Sequence, residues 1–165
     1  PPQVLVVGGI GGRMGRLTNN PIIDSELPAN AFILTIDGAT ARIDPVRLPS
    51  DDNLVRRAFH SAVSLGSAVY MSGGWVFGGT ALSLTASRDI LRYDAFQGSL
   101  EIWRQMSGPR MAHTMAAFRN EAIFFGGGIR PGTAADSRFV FDSSAEVYIA
   151  PLANDPCAAQ IPTTD

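Results

Sequence analysis

The chain has 165 residues, 45% of them hydrophobic and 17% charged, which supplies one sizeable core and excludes a disordered, highly charged segment. A net charge of −2 offers no basic face for DNA or RNA, and no apolar run reaches the length of a membrane span. The lone cysteine, Cys157, excludes an internal disulfide framework. The start at Pro1-Pro2 rather than at Met fits a processed or excerpted chain, and it shows no signal-peptide pattern. With no Asn-x-Ser/Thr site either, the composition leans toward an intracellular setting.

In chain order, β-branched and aromatic runs predict strands near 4–8, 31–37, 41–48, 57–65, 67–73, 88–94, 100–106, 110–118, 121–126 and 144–150. Asp37-Gly38-Ala39-Thr40 and Ala95-Phe96-Gln97-Gly98 read as hairpin turns, each with a glycine for positive φ. Long segments containing Gly or Pro at 10–30, 75–87 and 128–143 read as loops on a sheet scaffold, where binding residues tend to sit. No stretch carries sustained helical periodicity with caps. The expected fold class is all-β.

A repeat organises these strands. The doublets Gly8-Gly9, Gly73-Gly74 and Gly126-Gly127 each close an apolar run: Val4-Leu5-Val6-Val7, Ala68-Val69-Tyr70-Met71 and Ala122-Ile123-Phe124-Phe125. Arg57-Ala58-Phe59-His60 matches Arg110-Met111-Ala112-His113, the histidines standing 53 residues apart (113 minus 60). Between them come Tyr93-Asp94 and then Trp103. An Arg-x-x-His strand, an apolar strand closing on Gly-Gly, a Tyr-Asp pair and a later Trp resemble the Kelch repeat, a four-stranded propeller blade of about 50 residues. The stretch from Arg57 to Trp103 carries all four features. The third repeat has Arg110, His113, Gly126-Gly127 and Glu146-Val147-Tyr148 but no Trp, and the first has Gly8-Gly9 and Ile36-Asp37, with Val46 where the Trp would stand.

The resemblance implies a partial Kelch-type β-propeller of two to three four-stranded blades over 1–150, with 151–165 as a tail or the start of the next strand. It implies further blades, supplied by a longer chain or another subunit, because a closed ring has about four to eight. Arg57, His60, Gly73, Gly74, Tyr93, Trp103, Arg110, His113, Gly126 and Gly127 are then structural repeat positions, with both histidines buried and bonded to backbone. In peptide-binding members the positions beyond the Gly doublet and beside the Arg-x-x-His arginine face the ligand. Carried over, these are Ile10, Trp75, Phe77, Ile129 and Arg130, with Phe59 and Ala112. The expected function is protein–protein interaction without catalysis, metal or cofactor. The alternative is an enzyme on the same scaffold acting on a sugar or other small molecule, mutarotase-like or oxidase-like.

A second motif competes at the start of the chain. Gly9, Gly12 and Gly15, followed by a strand ending at Asp37, resemble the opening of a short-chain dehydrogenase, where glycines admit a pyrophosphate to a helix N-terminus. That mechanism needs a helix directly after the glycines. Pro21 and Pro28 interrupt the segment, and Pro in a helix interior costs about 3 kcal/mol. Copper chemistry of the Kelch-like oxidases needs several His and Tyr ligands and a Cys–Tyr pair, whereas Cys157 lies in a Pro-flanked tail.

Overall fold

The structure, a computed structural model, describes residues 2–9, 31–46, 48, 54–77, 84–119, 122–130 and 140–149. Among these residues the regular elements are strands, all paired antiparallel, and none is an α-helix. Three larger sheets follow one another along the chain. The first joins β1 (Gln3–Val7), β2 (Ala31–Asp37) and β3 (Thr40–Pro45) in that order.

The second sheet is four-stranded, built from β5 (Ser61–Leu65), β6 (Ala68–Ser72), β9 (Asp89–Asp94) and β10 (Ser99–Gln105) in the order β10-β9-β6-β5. The third joins β11 (Thr114–Phe118), β12 (Ala122–Gly126) and β15 (Ala145–Ile149). A four-stranded sheet is thus described once, flanked by two three-stranded ones.

Local chemistry explains the tight connections. The Asp94 carboxylate accepts the amides of Phe96 and Gln97 at 2.9 and 3.1 Å, and Gly98, at φ 62°, closes the turn with its amide on the Asp94 carbonyl. Those hydrogen bonds, together with the Arg92 guanidinium, hold the Asp94 carboxyl below its usual pKa against the opposing effect of desolvation.

Alternation along the strands gives the second sheet two apolar faces. Met71, Leu91 and Tyr93 face the first sheet in a core with Ala31, Val46 and Val55. Tyr70 and Ile90 point the other way, into a core with Leu65, Met106, Ile123 and Phe125, against which Trp103, Met115 and Tyr148 pack. The three sheets are therefore stacked in series, with one core between each successive pair. Trp103 reaches its place because the β9–β10 register slips between Ile102 and Arg104.

The expected strands 57–65 and 67–73 do not run as drawn, and the expected loops are not bare. The first breaks at Phe59-His60 into β4 (Arg57–Ala58) and β5, because Phe59 takes φ 56°. The second runs through Gly73-Gly74 into a further strand, β7 (Trp75–Phe77), which pairs with β4 and with β8 (Leu84–Ala86). A matching pair, β13 (Ile129–Arg130) and β14 (Val140–Phe141), lies in the segment expected as a loop at 128–143. Likewise β11 begins at Thr114 rather than at 110, and Met111 makes only an isolated bridge to Ile129.

Candidate functional site

The recurring arginines and glycines build the frame on which the candidate site rests. Arg57 is fully buried; its Nε donates to the Leu54 carbonyl at 2.7 Å and its Nη1 to the Gly73 carbonyl at 2.9 Å. Arg110 is equally buried and donates from Nη1 to the Gly127 and Ser144 carbonyls, both at 3.3 Å. Each arginine also lends its own carbonyl to the preceding sheet. The Gly9 amide donates to the Arg57 oxygen and the Gly74 amide to the Arg110 oxygen, both at 2.9 Å. One residue thus fastens its own doublet with its side chain and the previous doublet with its main chain.

The first position of the first two doublets must be glycine for that reason. Gly73 has φ 60°, and a Cβ there would overlap the Arg110 carbonyl oxygen and stand 2.8 Å from the His113 ring; Gly8, at φ 65°, faces the Arg57 carbonyl in the same way. The third doublet in this geometry is Gly127-Gly128, with φ 64° and 110°, not Gly126-Gly127. Two residues separate the paired Leu65 and Ala68, whereas three separate Phe118 and Ala122, and that insertion shifts the register by one. Gly126 consequently occupies the place of Ser72.

The two histidines differ in what they reach. His113 is buried, and its Nε2 lies 2.7 Å from the Ser72 hydroxyl of the second sheet rather than on a backbone group. His60 is only half-buried, and its Nδ1, like that of His113, has no hydrogen-bond partner among the described residues. Counting back from the doublets, Val7 holds the Ser72 position in the first sheet and has no hydroxyl to offer. Burial lowers both pKa values to about 4, aided by Arg57 at His60 and by Arg110 at His113. Both rings are therefore neutral at pH 7. Ser72 is fully buried, so the Ser72–His113 pair joins two sheets rather than presenting a nucleophile.

The two buried arginines differ as well. Burial lowers the Arg57 pKa to about 10, partly offset by Asp89. Arg110 instead meets the Glu146 carboxylate directly and has Asp142 Oδ2 at 3.4 Å. Burial opposes ionisation of Glu146, but hydrogen bonds from the Ser107 amide and hydroxyl and from Tyr148, with the Arg110 charge, hold its pKa below the usual value. The Tyr148 hydroxyl, partly buried and bonded to Glu146, is pushed up to about 12.

The residues expected to bind a partner lie on the short strands beyond the kinks. Phe59 is 49% exposed at φ 56°, its ring edge-on to Trp75 with centroids 5.2 Å apart. Ala58 pairs with Trp75, and the Ala112 amide donates to the Phe59 carbonyl at 2.8 Å. Ala112 repeats the unusual conformation at φ 51°. The structure therefore brings Phe59, Trp75 and Ala112 into one connected edge, joined to Ile129 through the Met111 bridge. Arg130 is next to Ile129 and pairs through Nε with Asp142 Oδ2 at 3.2 Å, its side chain half-exposed. Phe77 ends β7 opposite Leu84. Ile10 and the segment 151–165 with Cys157 lie outside the described residues.

The two aromatic repeat positions, Tyr93 and Trp103, both pack between sheets. Tyr93 is buried in the core between the first and second sheets. Trp103 stands edge-on to Tyr70 at 5.0 Å and to Tyr148 at 6.4 Å in the other core. What sequence reasoning missed was the kink itself, since no residue-type signal marks Phe59 or Ala112 for positive φ. Among the described residues no group of three or more His, Cys, Asp or Glu could hold a metal ion, and no helix is long and apolar enough to cross a membrane.

No family model matches this chain, and no curated protein matches it. Among solved structures 113 chains match. One is the structure of YjhT, similar at 11% identity and a TM-score of 0.52 over 64% of this chain. The chain spans 31% of that protein's length, and at this identity the likeness concerns the fold alone.

Proposed function

We propose that this chain is a stretch of Kelch-type propeller blades whose edge, built from Phe59, Trp75, Ala112, Ile129 and Arg130, binds a partner protein. The repeated arginine–glycine fastening and the series of stacked sheets support the blade reading. One observation carries the binding reading: Phe59, an apolar ring left half in water, is held at a positive φ that costs a non-glycine residue about 1–2 kcal/mol. Such strain at an exposed aromatic pair fits a recognition anchor better than a packing residue, since aromatic and arginine side chains dominate interface hot spots.

Phe59→Gly separates the two roles. Glycine relieves the backbone, so the variant melts at the same temperature or higher, while loss of the ring removes the contact. Proximity labelling or cross-linking with the wild-type chain, followed by mass spectrometry, defines the bound set. That set is expected to disappear with Phe59→Gly and with Trp75→Ala, by about 2 kcal/mol or more of affinity each. A Phe59→Gly variant that melts lower and keeps the whole bound set would show Phe59 to be packing.

A further inference from the structure

The segment leading into each buried arginine is fastened differently at the two junctions. Leu54 stands three residues before Arg57, and Ser107 three before Arg110. At the first junction the Arg57 Nε donates straight to the Leu54 carbonyl at 2.7 Å. At the second the Arg110 Nε has no hydrogen-bond partner among the described residues, and a carboxylate bridges the gap instead. Glu146 Oε1 accepts from Arg110 Nη2 and from the Ser107 hydroxyl, the latter at 2.8 Å. Its Oε2 accepts from the Ser107 amide at 2.9 Å and from the Tyr148 hydroxyl at 2.8 Å. Ser107 thus ties the loop after β10 to a buried arginine, yet Ser107 itself is exposed.

The surroundings of that hydroxyl suit a modifying enzyme. Arg104, three residues before it, is exposed, its guanidinium 5.0 Å from the centre of the Trp103 ring. Arg104 and Gln105 end β10, the outer strand of the second sheet, so the stretch before Ser107 is already extended. Residues 106–109 belong to no strand, and no ladder has to break there. A protein kinase that binds its substrate as an extended segment, with its own carboxylates on an arginine three residues before the serine, fits this arrangement. Among the described residues Ser107 is the one hydroxyl with an arginine at that spacing. Ser50 and Thr133, which share it with Arg47 and Arg130, lie outside them.

We propose that Ser107 is a phosphorylation site, and that a phosphate there weakens the junction between the second and third sheets. The Ser107 oxygen attacks the γ-phosphorus of a nucleoside triphosphate held by the kinase. The new O–P bond forms as the bond to the bridging oxygen breaks, the nucleoside diphosphate leaves, and the hydroxyl proton passes to the kinase's catalytic carboxylate. The product has no proton to donate to Glu146 and carries about 1.5–2 negative charges at pH 7. Glu146 is ionised there, held below its usual value, against the opposing effect of burial, by the Ser107 bonds. An attraction therefore becomes a repulsion between like charges, and Arg110, already unpartnered at Nε, loses its carboxylate at Nη2. Leu54 offers no such hydroxyl, so the effect is confined to the second junction. The inference does not rest on the binding edge.

The test uses the full 165-residue chain, a kinase of that specificity and adenosine triphosphate, with the phosphate mapped by mass spectrometry. Ser107 is expected to be phosphorylated, and Arg104→Ala to slow its phosphorylation at least about tenfold. The melting midpoint of Arg104→Ala is expected to stay within about 2 °C of the wild type, because the side chain is exposed. Exchange of the Gly74 amide, which the Arg110 carbonyl holds, is expected to quicken roughly tenfold on phosphorylation, while Gly9 keeps its rate. A Ser107→Ala chain treated in the same way is expected to show no such change. Phosphate on other residues with none on Ser107, or unchanged Gly74 exchange in chain phosphorylated at Ser107, would overturn the proposal.

A second measurement needs no kinase. Ser107→Ala removes the hydroxyl and keeps the amide, whereas Ser107→Glu also places a charge beside Glu146. Ser107→Glu is expected to melt roughly 5 °C below Ser107→Ala at pH 7. Adding Glu146→Gln to both is expected to close most of that gap, since the repulsion needs the carboxylate. Ser107→Glu melting level with or above Ser107→Ala, or a gap that Glu146→Gln leaves unchanged, would mark Ser107 as an ordinary loop serine and the proposal as wrong.

Discussion

The junction between the first and second sheets and the junction between the second and third use one backbone geometry and two chemistries. Around Arg57 the guanidinium is held by carbonyls, the position matching Ser72 is Val7, and the core is mainly aliphatic, with Val55, Met71 and Leu91. Around Arg110 two carboxylates surround the guanidinium, His113 meets Ser72, and the core is aromatic, with Phe125 edge-on to Tyr148 at 5.4 Å. Main-chain fastening is therefore what the repeat requires, and the side-chain complement of each junction varies around it.

The largest expected effect removes that shared fastening. Gly73→Ala forces a methyl onto the Arg110 carbonyl at positive φ, and the chain is expected to lose at least about 3 kcal/mol or to fail to fold. Gly98→Ala, at φ 62° with open space around it, is expected to cost only about 1–2 kcal/mol in the same thermal melt. Equal losses would mean that close approach contributes nothing.

Next come the two arginines. Arg110→Met strands Glu146 without its cation and leaves Asp142 with Arg130 alone, and it is expected to cost roughly 3–5 kcal/mol in urea unfolding. Arg57→Met leaves the Leu54 and Gly73 carbonyls unpaired and is expected to cost less, about 1–3 kcal/mol. The reverse order would contradict the division between the junctions.

A smaller effect separates the histidines. Ser72→Ala is expected to cost about 1–2 kcal/mol in the wild type and less in a His113→Leu background, because the pair is one interaction. His60→Leu carries no such coupling to residue 72.

Acidity tests both together. Folded pKa values near 4 against 6.5 unfolded mean that the unfolded chain takes up protons first. The stability from keeping both rings neutral is complete above pH 6.5 and is lost as the pH falls toward 4, by at most on the order of 3 kcal/mol per histidine. Urea midpoints at pH 7 and pH 5 measure it, and His60→Leu should remove its share.

Much of the frame was legible in the residues. Arg57 and Arg110, His60 and His113, and the glycine runs carry the period because buried charge and close backbone approach tolerate few substitutes. The third doublet was ambiguous, since Gly126-Gly127-Gly128 admits two pairings and only the hairpin's extra residue decides between them. The short strands β7, β8, β13 and β14 escaped because two- and three-residue pairings leave no periodic trace. A swap hid the next correspondence: Ser87 and Asp89 in one unit become Asp142 and Ser144 in the next. The Ser87 hydroxyl accepts the Asp89 amide, and the Asp142 carboxylate accepts the Ser144 amide. The candidate edge was legible as residue types, with Phe59, Trp75 and Arg130 named, but not as a kinked edge held by the Ala112 amide.

Native-state hydrogen exchange at the Gly9 and Gly74 amides tests the central claim, that an arginine carbonyl fastens each sheet to the one before it. Both amides are expected to exchange slowly, opening only with the sheets they join, and Gly73→Ala is expected to speed Gly74 without speeding Gly9 to the same degree. Exchange of either amide in the wild-type chain at the rate of unstructured peptide would contradict the account.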